Sequence, residues 1–454
     1  MAGIVPGCAR PLIWGTLVLL SAALGWAEDW PTYNHDARRS GTTSESLNVA
    51  SLGLRWTYES RVPIQPAWPG PAPRDFYNSP TVNNADRLDL DAVFQVAAAG
   101  DSVLFGSPSE DALWCLDATT GRPRWHFVAD GPVRFAPHVL GGKVYFGADD
   151  GVVYCLTLSD GALQWQTRIA PSTHKVPSDG KLVSLWPNRS GVVVRDDVVY
   201  CAAGVFPAEG VYVCALNART GSDEGPGLYR QRFTDMSLQG YVLASPERVY
   251  FPGGRSGPWV FTRLSGERKG QLGGGGGTYA VISEDDSLIY GPGKTSSTLE
   301  EFRGSSRDSV AAFPGGRHIV VTRDCSYVAT SAELICIDRA RYLQIGADIA
   351  AVDAERSKQK RGTAEYDALT QKIAKIAEGR EACYRWRVPT DCSDCLILAG
   401  THLFAGGVGK VAAFSTEDGA RLWQAPVEGV VKGLAVANGR LFASTDKSRI
   451  YCFQ

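Results

Sequence analysis

KVYFGADDGVVYCLTLSDGALQW, residues 143–165, decides the fold, because imperfect copies of it recur from one end of the chain to the other. It reads as two short strands around a tight acidic-glycine turn, followed by a second turn that closes on tryptophan. LWCLDATTGRPRW (113–125) and VAAFSTEDGARLW (411–423) repeat its second half. In all three copies a glycine (Gly121, Gly161 or Gly419) stands four residues before Trp125, Trp165 or Trp423. A small residue (Cys115, Cys155 or Ala413) stands ten residues before the same tryptophan. Internal periods of this length are the signature of a repeat architecture.

Working outward, LGLRWTY (52–58) matches the last strand of the unit, but the earlier strands are missing before it. They are found at the other end. RLFASTDKSRIYCFQ (440–454) follows the pattern that begins at Lys143 and stops short of its tryptophan strand. A unit split between the termini closes a ring, with the N-terminal strand completing the last sheet and removing its exposed edge. Units begin near Ala92, Phe135, Gly191, Gly240, Thr278, His318, Leu396 and Gly433, and the pattern is most worn between 240 and 316. The expected fold is therefore all-β: an eight-bladed β-propeller of four-stranded antiparallel blades spanning residues 28–454 as one domain. Trp56, Trp125, Trp165 and Trp423, with Asp117, Gly121, Gly161 and Gly419, are expected to join blade to blade. An indole packed across a neighbouring turn buries roughly 150–250 Å², a gross gain of about 4–6 kcal/mol at ~25 cal/mol per Å².

Composition agrees with many short strands and tight turns: 50 glycines and only 2 methionines among 454 residues. A formal net charge of -2 gives no support to nucleic-acid binding, which favours a strongly basic face. Residues 1–27 read as a secretory signal, with Arg10, an apolar run from 12 to 24, and small residues in Gly25-Trp26-Ala27. The run is short for a transmembrane helix. The expectation is an exported chain beginning near Glu28, periplasmic, secreted or associated with the cell envelope, with an uncleaved anchor as the alternative. Cys115, Cys155, Cys336 and Cys452 occupy one equivalent strand position, with Cys214 displaced by one, and read as buried small apolar residues. Cys383, Cys392 and Cys395 cluster locally and are the disulfide candidates.

DWPTYNHDARRSGTT (29–43) is polar and turn-rich and reads as a segment wrapping the surface. Three insertions interrupt the rhythm. Residues 61–90 carry Trp68, Arg74, Phe76 and Tyr77, and residues 171–189 carry His174, Lys175, Trp186 and Arg189. Both follow an outermost strand and lead to the next innermost one, so they belong on one face around the axial funnel, where binding residues are expected. Residues 340–382 instead show helical spacing at Ile345, Ile349 and Val352, then at Tyr366, Leu369, Ile373 and Ile376. They read as a helical hairpin on the opposite face, either zipped on itself or serving as a docking arm. No HxH or HExxH spacing marks a metal site. Gly291-Pro292-Gly293-Lys294-Thr295 lacks the spacing of a phosphate loop. Asp149, Asp150, Asp160 and Asp418 read as local turn residues. Asn188-Arg189-Ser190 fits a glycosylation sequon.

CLDATTGRPRW resembles the tryptophan-docking repeat of quinoprotein, pyrroloquinoline quinone (PQQ)-type propellers, Ala-x-Asp-x-x-Thr-Gly-x-x-x-Trp, with Cys115 in place of the alanine. LILAGTHLFAGG (396–407) and GLAVANGRLFASTD (433–446) resemble the exported PQQ-like, BamB-like β-propeller repeat proteins of bacteria. That resemblance implies a monomeric binding or scaffold module, with protein partners or a small ligand on the loop face, no nucleic acid and no catalytic residues. The alternative it implies is a PQQ- and calcium-dependent dehydrogenase of alcohols or sugars. Its cofactor would sit in the funnel near Trp68, Arg74, Trp186 and Arg189. The chain has no Cys-Cys dipeptide of the kind those enzymes carry beside the quinone.

Overall fold

In every well-kept repeat the small residue of the third strand faces a tryptophan of the fourth. Cys115 pairs with Trp125, Cys155 with Trp165, Cys336 with Trp386, Ala413 with Trp423 and Cys452 with Trp56. A larger residue would push the indole off the sheet. The indole instead lies across the turn of the following blade. Trp56 Nε1 donates to the Ala118 carbonyl at 2.9 Å, Trp125 to Leu158 at 3.0 Å, Trp165 to Ala218 at 3.1 Å and Trp386 to Thr416 at 3.0 Å. The recurring glycine makes room for it. A Cβ on Gly121 would stand 2.6 Å from the Trp56 ring, and one on Gly161 2.6 Å from the Trp125 ring. Both glycines also have positive φ, +69° and +72°, which disfavours any other residue. Each glycine thus serves the tryptophan of the preceding blade and not the one four residues after it.

The computed structural model describes residues 1, 3, 27–68, 90–178, 180–293 and 297–454. Six separate four-stranded sheets lie within residues 97–128, 138–168, 192–233, 243–271, 280–314 and 316–389, and form blades 1 to 6. Blades 7 and 8 share one larger sheet. His402–Ser415 doubles back at Gly409 (φ +74°), which brings Thr416 N–H to the Thr401 carbonyl at 3.2 Å. Arg421–Ala437 runs from the outer edge of blade 7 to the inner edge of blade 8. Leu54–Glu59 closes the ring as the outermost strand of blade 8, with Trp56 opposite Cys452 and Thr57 opposite Tyr451. The worn stretch between 240 and 316 forms blades 4 and 5 in full. Between blades 3 and 4 a tyrosine takes the tryptophan's place, since a Cβ on Gly266 would meet the Tyr229 ring.

Residues 29–43 do not wrap the surface. They run inside the ring, against the C-terminal ends of the innermost strands. Ala98 N–H donates to Trp30 O, Val139 to Pro31, Ala244 to Ala37, Ile282 to Arg38 and Leu398 to Gly41, each at 2.8 Å. Trp30, Thr32 and Arg39 are buried. The Arg39 guanidinium donates to the carbonyls of Tyr33, Val192 and Val242 and to Thr32 Oγ1. Burial brings its pKa down to about 10. The polar composition has a physical cause. Inner strand edges offer backbone donors and acceptors that a buried segment must satisfy, so a polar plug suits the axis better than an apolar one.

The helical insertion forms α1 (Arg339–Arg356) and α2 (Ala364–Glu378), capped by Asp338 and Thr363, whose side chains accept from Arg341 N–H and Tyr366 N–H. It springs from the turn between the third and fourth strands of blade 6, on the face opposite the long loops. Buried Arg339 makes a forked pair with buried Glu301 of blade 5, at 3.1 and 2.5 Å. Tyr342 Oη donates to Ala312 O at 2.6 Å. The hairpin is therefore bolted to blade 5 as well as zipped on itself, with Val352 buried and the α2 stripe half-buried.

Trp56→Ala should lower stability by about 3–5 kcal/mol, the usual range for a large aromatic lost from a core. Gly121→Ala, on the other side of the same contact, should also destabilise. Exposed Phe206→Ala should stay within about 0.5 kcal/mol. Urea unfolding midpoints at constant m-value measure all three.

Candidate functional site

One pit opens on the axis at the loop face, with a volume of about 190 Å³. Residues at or just before the starts of innermost strands line it: Gln95, Tyr241, Tyr279, Arg317, His318 and Asp394. Tyr33 of the axial segment reaches it from the other side and stacks on Tyr241 at 3.9 Å. Tyr279 Oη donates to the Ile319 carbonyl at 2.6 Å and accepts from Ile319 N–H at 3.1 Å, which fixes that wall. Arg317 faces Asp394 at 3.5 Å. The sequence expectation missed these residues. Their signal was positional, a polar or aromatic side chain at or just ahead of the innermost strands of blades 1, 4, 5, 6 and 7, with no motif around it.

The loops flanking the pit are held by a buried chain of alternating charge. Asp91 Oδ2 accepts from Arg134 Nη1 at 2.6 Å, Asp149 Oδ2 from Arg134 Nε at 2.6 Å, and Asp149 Oδ1 from Arg189 Nε at 2.9 Å. All four residues are buried. Burial holds the Asp91 carboxyl above its ordinary range even with Arg134 beside it. Arg189 then lies 6.0 Å from the centre of the Trp68 ring, whose Nε1 donates to Gln239 Oε1 at 2.8 Å. Trp68 is still 42% exposed. The network pins an open indole in one orientation.

The other expected site residues are placed differently. Trp186 is buried between blades 2 and 3 and donates to Glu209 O at 2.9 Å. Lys175 and Lys181 tie the hairpin of Lys175–Ser178 and Lys181–Ser184 to the rim of blade 1, through Asp130 and Asp111. His174 is exposed beside them. Arg74, Phe76 and Tyr77 lie outside the described residues. Asp150, Asp160 and Asp418 do accept local amide bonds, but Asp149 is not a local turn residue: its carboxylate joins two arginines across blade junctions. Asn188 is 1% exposed and offers no room for a glycan. Cys383, Cys392 and Cys395 are unbridged buried thiols, contrary to the disulfide expectation. They sit in three separate packing clusters.

A quinone cofactor is a poor fit to these residues. The pit is smaller than the roughly 300–1,000 Å³ of clefts that take drug-sized ligands. Neither Trp68, Trp186 nor Arg189 lines it. Trp186 is committed to the blade junction, Arg189 to Asp149 and the Trp68 N–H to Gln239, so among the described residues no indole lines the pit. Among the described residues, no three His, Cys, Asp or Glu side chains converge as metal ligands would.

Asp149→Asn should cost about 3–5 kcal/mol, because it leaves the buried Arg189 guanidinium without a carboxylate and Arg134 with Asp91 alone. Denaturant unfolding measures the loss. His138 gives a pH test. Its Nδ1 accepts Val194 N–H at 3.2 Å across the junction of blades 2 and 3. Burial, then the Arg39 charge, lowers its pKa from 6.5 to about 3. A depressed histidine stabilises the fold above its unfolded pKa, and that contribution is lost as pH falls. Between pH 6.5 and 3 the protein should lose at most about 1.4 kcal/mol per pH unit through this group. His138→Leu should flatten the fall in Tm over that window.

Three comparisons bear on this architecture. A family model described as outer membrane protein assembly factor BamB matches residues 68–341 and 386–454, on either side of most of the helical insertion. No individually curated protein matches the sequence. Among solved structures, BamB from Moraxella catarrhalis superposes with a TM-score of 0.51 at 13% identity, covering 89% of this chain and 99% of that one. A europium-containing methanol dehydrogenase gives 0.58 at 10% identity, covering 91% and 89%. The quinohemoprotein alcohol dehydrogenase from Comamonas testosteroni gives 0.59 at 12% identity, covering 94% and 80%. At such identities the structural likenesses show the fold alone. The family match spans well over half of the sequence, and the chain belongs to the BamB family of PQQ-like repeat propellers.

Proposed function

We propose that the protein is an exported docking module of the cell envelope, which holds a protein partner on its loop face. The observation that carries this reading is Trp68, an open indole immobilised by Gln239 and by the clamped Arg189 guanidinium. Rigid aromatic side chains lose little entropy on binding and dominate protein interfaces. The same face exposes Phe206 (51%) and Leu182 (63%). The opposite face exposes single leucines at the starts of outermost strands, Leu163 and Leu422 among them. Membership of the BamB family supports an envelope role, and the matched family is described as an assembly factor. No helix among the described residues is long and apolar enough to cross a membrane. The dehydrogenase reading has the shared fold behind it but, among the described residues, no metal-ligand set in the funnel.

A photo-reactive amino acid at Phe206 or Leu182 should give protein adducts in producing cells, whereas one at Leu163 or Leu422 should not. Trp68→Ala should reduce the loop-face adducts roughly thirtyfold, a change of about 2 kcal/mol. Equal adducts from both faces would contradict the proposal. Calorimetric titration with PQQ and calcium should show no stoichiometric binding, and tight binding would restore the dehydrogenase reading.

A further inference from the structure

Glu45 is a buried carboxylate, 3% exposed, and no ion pair among the described residues includes it. Its hydrogen bonds come from main-chain amides: Glu28 N–H at 3.0 Å and Asn438 N–H at 2.9 Å to Oε2, and Gly439 N–H to Oε1. A buried charge ordinarily has a counter-charge, and here one is missing at the place where the chain supplies a nitrogen. Glu28 itself is held by its carboxylate and by its carbonyl. Its Oε2 accepts from Thr43 Oγ1 at 2.5 Å and Ser44 N–H at 3.1 Å, its Oε1 lies 3.4 Å from His35 Nε2, and its carbonyl accepts from Asn438 N–H at 3.3 Å. Ala27, one residue earlier, is exposed. The sequence independently places small residues, Gly25 and Ala27, at cleavage spacing after an apolar run.

We propose that the Ala27–Glu28 peptide bond is hydrolysed during export and that Glu45 is the socket for the α-ammonium group so formed. Water adds hydroxyl to the Ala27 carbonyl carbon, and the C–N bond breaks. The released Glu28 nitrogen takes up protons to become an ammonium, and Ala27 leaves as a carboxylate; a peptidase acting on exported chains supplies the catalysis. The neutral amide donor to Glu45 is thereby replaced by a cationic one, which turns the hydrogen bond into an ion pair with further donors available. The axial segment is then anchored by an ion pair at its first residue, beside blade 8. An α-amino group titrates near 7.7–8.0 when free. Pairing with Glu45 raises that value, so the added stability is present below about pH 8 and is lost as pH rises through the shifted pKa.

The proposal depends on export but not on docking, and its test uses no partner. Intact mass and N-terminal sequencing of the exported protein should give a chain beginning at Glu28; a start at any other residue overturns the cleavage site. Refolded protein beginning at Glu28 should melt higher at pH 7 than the same chain extended by Gly-Ser, and the gap should close above about pH 9. Glu45→Gln should abolish the gap, and a gap that survives the substitution overturns the socket. As a check needing no variant, the Glu28 amine should be acylated by a succinimidyl ester at pH 7 more slowly in folded than in urea-unfolded protein. Equal rates would overturn the socket too.

Discussion

The ring depends most on four junctions at which an indole lies over a glycine that belongs to the next blade. A single four-stranded sheet cannot bury both faces, so each blade must be covered by its neighbours. The tryptophan of the outermost strand supplies the reach, the glycine supplies the clearance, and the turn carbonyl receives the indole N–H. Repetition turns a pairwise contact into a ring, because the last blade lacks its own outer strand and Leu54–Glu59 provides it. At the seam Trp423 keeps the hydrogen bond without the glycine: its Nε1 donates to Leu52 O at 3.1 Å, just ahead of the closing strand.

Closing a ring leaves an axis, and the axis is where the chemistry of the interior changes. Innermost strands present unpaired backbone edges and polar side chains toward one another. One end is filled by residues 29–43, which satisfy those edges bond by bond, with Arg39 held by carbonyls and His138 kept neutral beside it. The other end stays open as a small pit below the long loops. There the buried sequence of Asp91, Arg134, Asp149 and Arg189 links loops to blades and supports Trp68. Two functions of the fold are thereby separated: apolar junctions hold the blades together, and a polar hub positions the binding face.

The junctions were legible in the sequence because they repeat. Cys115, Cys155 and Ala413 sit at one register for one steric reason, and the strands split between the termini gave away the closure. The hub was not legible, because its residues occur once each. Asp149 looks like any aspartate of an acidic-glycine turn, and only the arrival of Arg134 and Arg189 from other loops gives it a different role. DWPTYNHDARRSG is polar for the sake of buried backbone edges rather than water, and composition alone does not separate those causes. Trp186 lies in a long loop of the kind that holds ligands, yet a blade junction takes it. The cysteines of 383–395 are close in sequence, but each packs into a different cluster.

The most direct test of this account is hydrogen exchange at the seam, resolved to the segments Leu54–Glu59 and Arg449–Phe453. If the terminal strand closes the ring, amides of the two segments exchange slowly and together, with the protection of the complete blade at 138–168, and Trp56→Ala accelerates both. Rapid exchange of Leu54–Glu59 in a protein whose other blades stay protected would contradict the closed ring, and with it the placing of the pit and the loops.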